Sequence, residues 1–243
     1  MVTLSRSWQR SIEAYTFREL DVKSADLDAL ASILRSASTT RLSSIKHLRF
    51  HLILPTYNED ACAEYETDED RAANNRVATE KISTLLMILS SAQWPADQNL
   101  ALRIRIHSPM DGVHRGPEKL WEHMEAAQLG DRRDVFSDRY RYSSISVSDT
   151  AYTVPCVTRF TLERQDTRFL DPGSEIALTE AFPRLEFVCW SCKDPGVFLA
   201  QRRGYLSNLT DRIRHFQLPG SAKAWQVDVE APYQHTERLP AKP

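Results

Sequence analysis

The stretch SIKHLRFHLILP, Ser44 to Pro55, decides the fold. Leu48, Phe50 and Leu52 alternate with His47, Arg49 and His51, and a period of two is the signature of a strand that buries one face. The other face then carries a column of basic groups, and that column raises the question of function.

The stretch belongs to a repeat. In the template "apolar, two residues, apolar, one residue, apolar", six segments stand out: Phe17-Leu20-Val22, Ile45-Leu48-Phe50, Ala101-Ile104-Ile106, Val157-Phe160-Leu162, Phe182-Leu185-Phe187 and Ile213-Phe216-Leu218. Ala101 is the weakest match. Their first positions are 28, 56, 56, 25 and 31 residues apart. These gaps lie near one or two leucine-rich periods of 20–29 residues. Helical spacing fills the intervals. Ser24 is placed to cap a helix with Leu27, Leu30, Ile33 and Leu34 on one face. Val77, Ile82, Leu85, Leu86 and Leu89 form a second stripe. Pro117 suits the start of a third helix with Leu120, Trp121 and Met124, and a short fourth runs from Ser174 to Ala181. Strand, helix, strand in repetition predicts parallel strands with crossover helices. The expected fold is therefore α/β, an irregular leucine-rich-repeat-like stack. Leu20, Leu48, Ile104, Phe160, Leu185 and Phe216 are expected to form one buried layer.

Length and composition fit one domain. A chain of 243 residues buries roughly 70–75% of its unfolded surface. We expect that domain to span 1–219, with 220–243 as a tail holding at most a short strand from Trp225 to Val229. Residues 58–75 carry seven acidic side chains and read as an acidic loop, and 128–153, rich in Arg, Asp and Ser, read as an insertion loop. With 31 basic against 33 acidic residues, nothing in the overall charge calls for nucleic acid or a membrane surface. No run reaches the ~20 apolar residues that span a bilayer. The start, MVTLSRSWQRS, lacks the apolar core of a secretory signal. The expected location is intracellular, cytoplasmic or nuclear, with Cys62, Cys156, Cys189 and Cys192 reduced.

Trp8-Gln9, Ile12-Glu13, Thr16-Phe17-Arg18 and Leu20-Asp21-Val22, followed by Leu54-Pro55-Thr56-Tyr57, resemble the region after the F-box in filamentous-fungal F-box proteins. AFPRLEFVCW and LTDRIRHFQL resemble later strands of the same family. The resemblance implies a region that selects ubiquitination substrates through protein binding. It also implies an F-box ahead of Trp8, where only seven residues stand. This chain is accordingly expected not to bind a Skp-type adaptor by itself. The position where a regular leucine-rich repeat places asparagine holds Ala25, Ile53, Pro109, Gln165, Trp190 and Ser221, hence the irregular stack.

Few motifs carry chemistry. Cys189-Trp190-Ser191-Cys192 is the sharpest, but a redox pair wants its first cysteine at a helix N-terminus. No second pair completes a zinc site, so no metal is expected. The seven glycines form no phosphate-cradling loop, and neither a GxSxG elbow nor an HExxH helix occurs. No enzyme and no cofactor is expected; a dithiol enzyme using Cys189 and Cys192 is the alternative. The remaining candidate site is the stripe of His47, Arg49, His51, Arg103, Arg105, His107, Arg159, Arg184 and His215 on the exposed strand face. Arg49 and Arg105, or Arg103 and Arg159, are expected to be lateral neighbours. The partner it suits is an acidic or phosphorylated protein segment, with arginine supplying bidentate contacts.

Overall fold

Ser44–Pro55 does contain the strand its alternation demands. His47–Ile53 (β2) buries Leu48, Phe50 and Leu52 and leaves His47, Arg49 and His51 half-buried on the other side. The computed structural model describes residues 5–58, 61, 66–111, 144–148, 151–163, 168–193 and 224–230. Around β2 the chain runs α1 (Arg6–Thr16), β1 (Glu19–Lys23), a 3-10 turn at Ser24–Asp26, α2 (Leu27–Ser36) and α3 (Thr39–Ser44). After β2 come α4 (Asp68–Ser91), β3 (Leu100–His107), β4 (Ser144–Ile145), β5 (Val157–Leu162), β6 (Phe169–Leu170), α5 (Pro172–Glu180), β7 (Phe187–Lys193) and β8 (Ala224–Glu230). The fold is α/β with a central parallel sheet in the order β1-β2-β3-β5-β7-β8, and β4 and β6 form a small separate pair. Every pairing in the sheet is parallel.

One core joins Leu27, Leu30 and Leu34 of α2, Ile82, Leu85 and Leu89 of α4, and Ile176 and Leu178 of α5 to the inner row of strand residues. Helices are held where local chemistry fixes their ends. Thr67 accepts from the Asp70 N–H at 3.1 Å while Asp70 accepts from the Thr67 N–H at 3.2 Å, a reciprocal cap at the start of α4. Asp171 accepts from the Gly173 and Ser174 N–H groups at the start of α5, with Pro172 at its first position. The Trp94 indole N–H donates to the Leu89 carbonyl at 2.7 Å and covers the end of α4. Among the described residues no helix is long and apolar enough to cross a membrane.

The register departs from the template in two places. The inner row across the sheet is Leu20, Leu48, Leu102, Phe160 and Val188, so Ile104 lies beside Phe50 rather than Leu48. In β3 every second residue from Leu100 to Ile106 is apolar, so a slip of two keeps the same face and alternation cannot choose between them. At the start of β7 the run Phe187-Val188-Cys189-Trp190 is apolar on both parities. Leu185 is buried in the turn before the strand, and Val188 takes its expected place. Phe216, the strand at Ile213–Leu218 and the helix after Pro117 lie outside the described residues.

Three local expectations change as well. Ser24 does not cap α2; its hydroxyl accepts from the Ile53 N–H at 3.1 Å, at the end of the neighbouring strand. The acidic stretch 58–75 is not a loop throughout, because Asp68, Glu69 and Asp70 form the first turn of α4, where carboxylates suit the helix dipole. Within 128–153, Ser144–Ile145 is strand, and the N–H groups of Ser146 and Ser148 donate to Asn75 and Thr79 of α4. Beyond residue 219, Ala224–Glu230 pairs with β7 as the sixth strand.

Candidate functional site

The sheet face turned away from the helices gathers seven of the nine expected residues. Along β2 lie His47, Arg49 and His51; along β3 lie Arg103, Arg105 and His107; β5 adds Arg159. Arg184 is elsewhere. It precedes β7, and its guanidinium donates to the Ala96 and Gln98 carbonyls and to Asn99 Oδ1, pinning the turn before β3. His215 lies outside the described residues.

The register decides which charges meet. Arg49 stands beside Arg103, and His51 beside Arg105, instead of the expected Arg49–Arg105 and Arg103–Arg159 pairs. Arg159 faces Ala101 on one side and Phe187 on the other, with its guanidinium carbon 4.7 Å from the Phe187 ring centre. Two like charges side by side on a sheet cost a few tenths to ~1 kcal/mol. Arg49 offsets that cost with carboxylates, 3.3 Å from Asp21 on β1 and 3.3 Å from Glu163 after β5. These are half-exposed pairs of small net value. Arg103 and Arg105 have no such partner among the described residues.

His51 and His107 lie toward the C-terminal ends of β2 and β3. Their rings meet edge to face with centres 6.1 Å apart. His51 Nε2 lies 2.8 Å from Asp21 Oδ1, near enough for an ion pair once protonated but poorly aligned for a hydrogen bond. Burial pushes His107 below the ordinary imidazole range. Arg105, His51 and Lys23 push the same way, and Asp111 opposes them. His107 is thus neutral at pH 7.

A second constellation, which sequence reading missed, sits just beyond these strand ends. Arg168 forms a bidentate pair with Asp111 (Nε to Oδ2 3.1 Å, and 3.1 Å from its second nitrogen to Oδ1) and donates to Glu66 Oε1 at 2.7 Å. The three side chains are 1%, 5% and 2% exposed. Tyr57 and the Ser108 N–H also donate to Asp111, and Asn74 donates to Glu66. Burial disfavours the charged guanidinium, but hydrogen bonds and charge from Asp111, then Glu66, outweigh it and hold its pKa above the usual value. The cluster fastens the segments after β2 and β3 to the one entering β6. The Thr67-x-x-Asp70 spacing marked the start of α4, and so the end of the acidic stretch, but nothing local tied Glu66 to residues 45 and 102 positions away.

Among the described residues, Cys156 and Cys189 are free thiols. β7 is extended through Cys189 and Cys192, so their Cα atoms are about 10 Å apart, beyond the ~7 Å that a disulfide spans. Cys156 is buried, and burial pushes its thiol up to about 12. No group of three or more potential metal ligands exists among the described residues. No protein-family model, curated protein or solved structure matches the chain.

Proposed function

We propose that this chain is a protein-interaction module, built as an irregular leucine-rich-repeat-like stack, whose basic strand face binds an acidic or phosphorylated protein segment. Two features support the stack. The strands follow one another across the sheet in chain order, and the helices that pack on it share one core on one side. The observation that carries the binding reading is the placement of four arginines on a single half-exposed face, three of them without an ion pair among the described residues. Arginine side chains held on rigid strands present bidentate donors to carboxylate or phosphate at little ordering cost. The resemblance to the substrate-selecting region of fungal F-box proteins fits the same role. The spacing of Cys189 and Cys192 argues against the alternative of a thiol–disulfide enzyme.

The test is binding of a fluorescent dodecapeptide of glutamate and aspartate, read by anisotropy. Arg103→Glu with Arg159→Glu abolishes binding. Removing the Arg49–Arg103 repulsion offsets the lost Arg159–Phe187 contact, so the melting temperature stays nearly unchanged or rises. Unchanged binding by a folded double variant overturns the proposal.

A further inference from the structure

Of the three buried nitrogens on the basic face that have no hydrogen-bond partner among the described residues, one is Nε2 of His51 beside Asp21, and the other two are Nε of Arg105 and Nδ1 of His107. The latter two belong to residues two apart on β3, so both side chains leave the same side of the sheet, with Cα atoms about 6.6–6.8 Å apart. Most buried donors are satisfied, and a persistent exception calls for a cause such as a site for a ligand. Arg103, one step back along the same row, is exposed and without an ion pair among the described residues. His51, level with Arg105, has Asp21 Oδ1 2.8 Å from its Nε2.

We propose that Arg105 and His107, flanked by Arg103, seat the phosphate of a phosphorylated residue in the bound protein segment. This deepens the interaction reading above and rests on it. A phosphate monoester brings close to two negative charges and three acceptor oxygens. Two oxygens suit the fork of the Arg105 guanidinium, and the third is left for a proton on His107 Nδ1. A carboxylate has one charge and two oxygens, so it satisfies the arginine and leaves the histidine unpaired. The seat thus distinguishes a phosphorylated segment from a merely acidic one.

Binding is coupled to a proton. In the free protein Arg105, His51 and Lys23 disfavour charge on His107 and only Asp111 favours it. A dianion placed against Arg105 reverses that balance, so His107 takes up a proton as the ligand arrives. Affinity therefore rises as pH falls through the histidine range, until the phosphate itself protonates near its second pKa of ~6.

The experiment compares two dodecapeptides on the full 243-residue protein: one acidic with a central glutamate, the other identical but with a central phosphoserine. The phosphopeptide binds about 10-fold or more tightly, one decade of Kd being the smallest gain that sets the seat apart. Arg105→Gln and His107→Gln each remove the gain, whereas Arg35→Gln on α2 retains it. In the wild-type protein, the NMR titration midpoint of the His107 ring moves up when the phosphopeptide binds, a readout that needs no variant to fold. If the acidic peptide binds and the phosphoserine adds nothing, or the gain survives both variants, or the His107 midpoint stays put, the seat is wrong and the interaction face stands. If neither peptide binds, the interaction face fails and takes the seat with it.

Discussion

Replacing Arg168 by methionine removes the charge that keeps Glu66 and Asp111 in the interior. Its hydrogen bonds to Asp111, both 3.1 Å, and to Glu66, 2.7 Å, go with it. The carboxylates stay 5% and 2% exposed unless the structure opens to hydrate them. Deleting one partner of a buried ion pair costs ~3–5 kcal/mol, because the other charge is left in low dielectric. Tyr57, Ser108 and Asn74 still donate to the two carboxylates, which places this variant toward the lower end of that range. With a urea dependence of ~2 kcal/mol per molar, the unfolding midpoint falls by about 1.5–2 M, followed by far-UV circular dichroism. Adding Glu66→Gln and Asp111→Asn to Arg168→Met recovers most of the loss, since no buried charge remains. A loss under ~1 kcal/mol in the single variant would show that the cluster does not fasten these segments. A triple variant as unstable as the single one would show that lost packing, not stranded charge, dominates.

Other outcomes follow from the same contacts. Phe160→Ala empties a fully buried position that touches Phe182 with ring centres 5.2 Å apart, and costs ~3–5 kcal/mol in the same urea assay. His107 has a folded pKa below its unfolded value of about 6.5, so the unfolded chain binds the proton first and stability is lost as pH falls below that value. His107→Gln flattens this part of the stability–pH curve, and an unchanged curve would mean that His107 is not the group responsible. Cys156, with its thiol pushed up to about 12, stays unlabelled by a thiol reagent at pH 8 in the native protein and reacts once urea is added.

Periodicity carried most of the architecture. The alternation in His47–Ile53 and the stripe through Ile82, Leu85 and Leu89 each reported one face of an element against a core, and a core face leaves that mark on its own sequence. Register left no such mark. Leu102 and Ile104 are equivalent to a pattern of period two, and only the neighbouring strand chooses between them. Membership of the basic face was legible for residues inside strands, where parity fixes direction, and failed at Arg184, which the template placed in a strand that begins at Phe187. The Arg168 cluster was illegible because its members come from separate segments, and each alone looks like an ordinary surface charge.

The most direct trial of the interaction face is to map what an acidic ligand shields. Arginine-selective modification by p-hydroxyphenylglyoxal, read residue by residue by mass spectrometry, is run with and without the glutamate–aspartate dodecapeptide. The peptide slows modification of Arg103, Arg105 and Arg159 on the strand face and leaves Arg35, Arg71 and Arg76 on the helices unaffected. Equal rates at the strand arginines, or protection confined to the helix side, would contradict the assignment of this face as the binding surface.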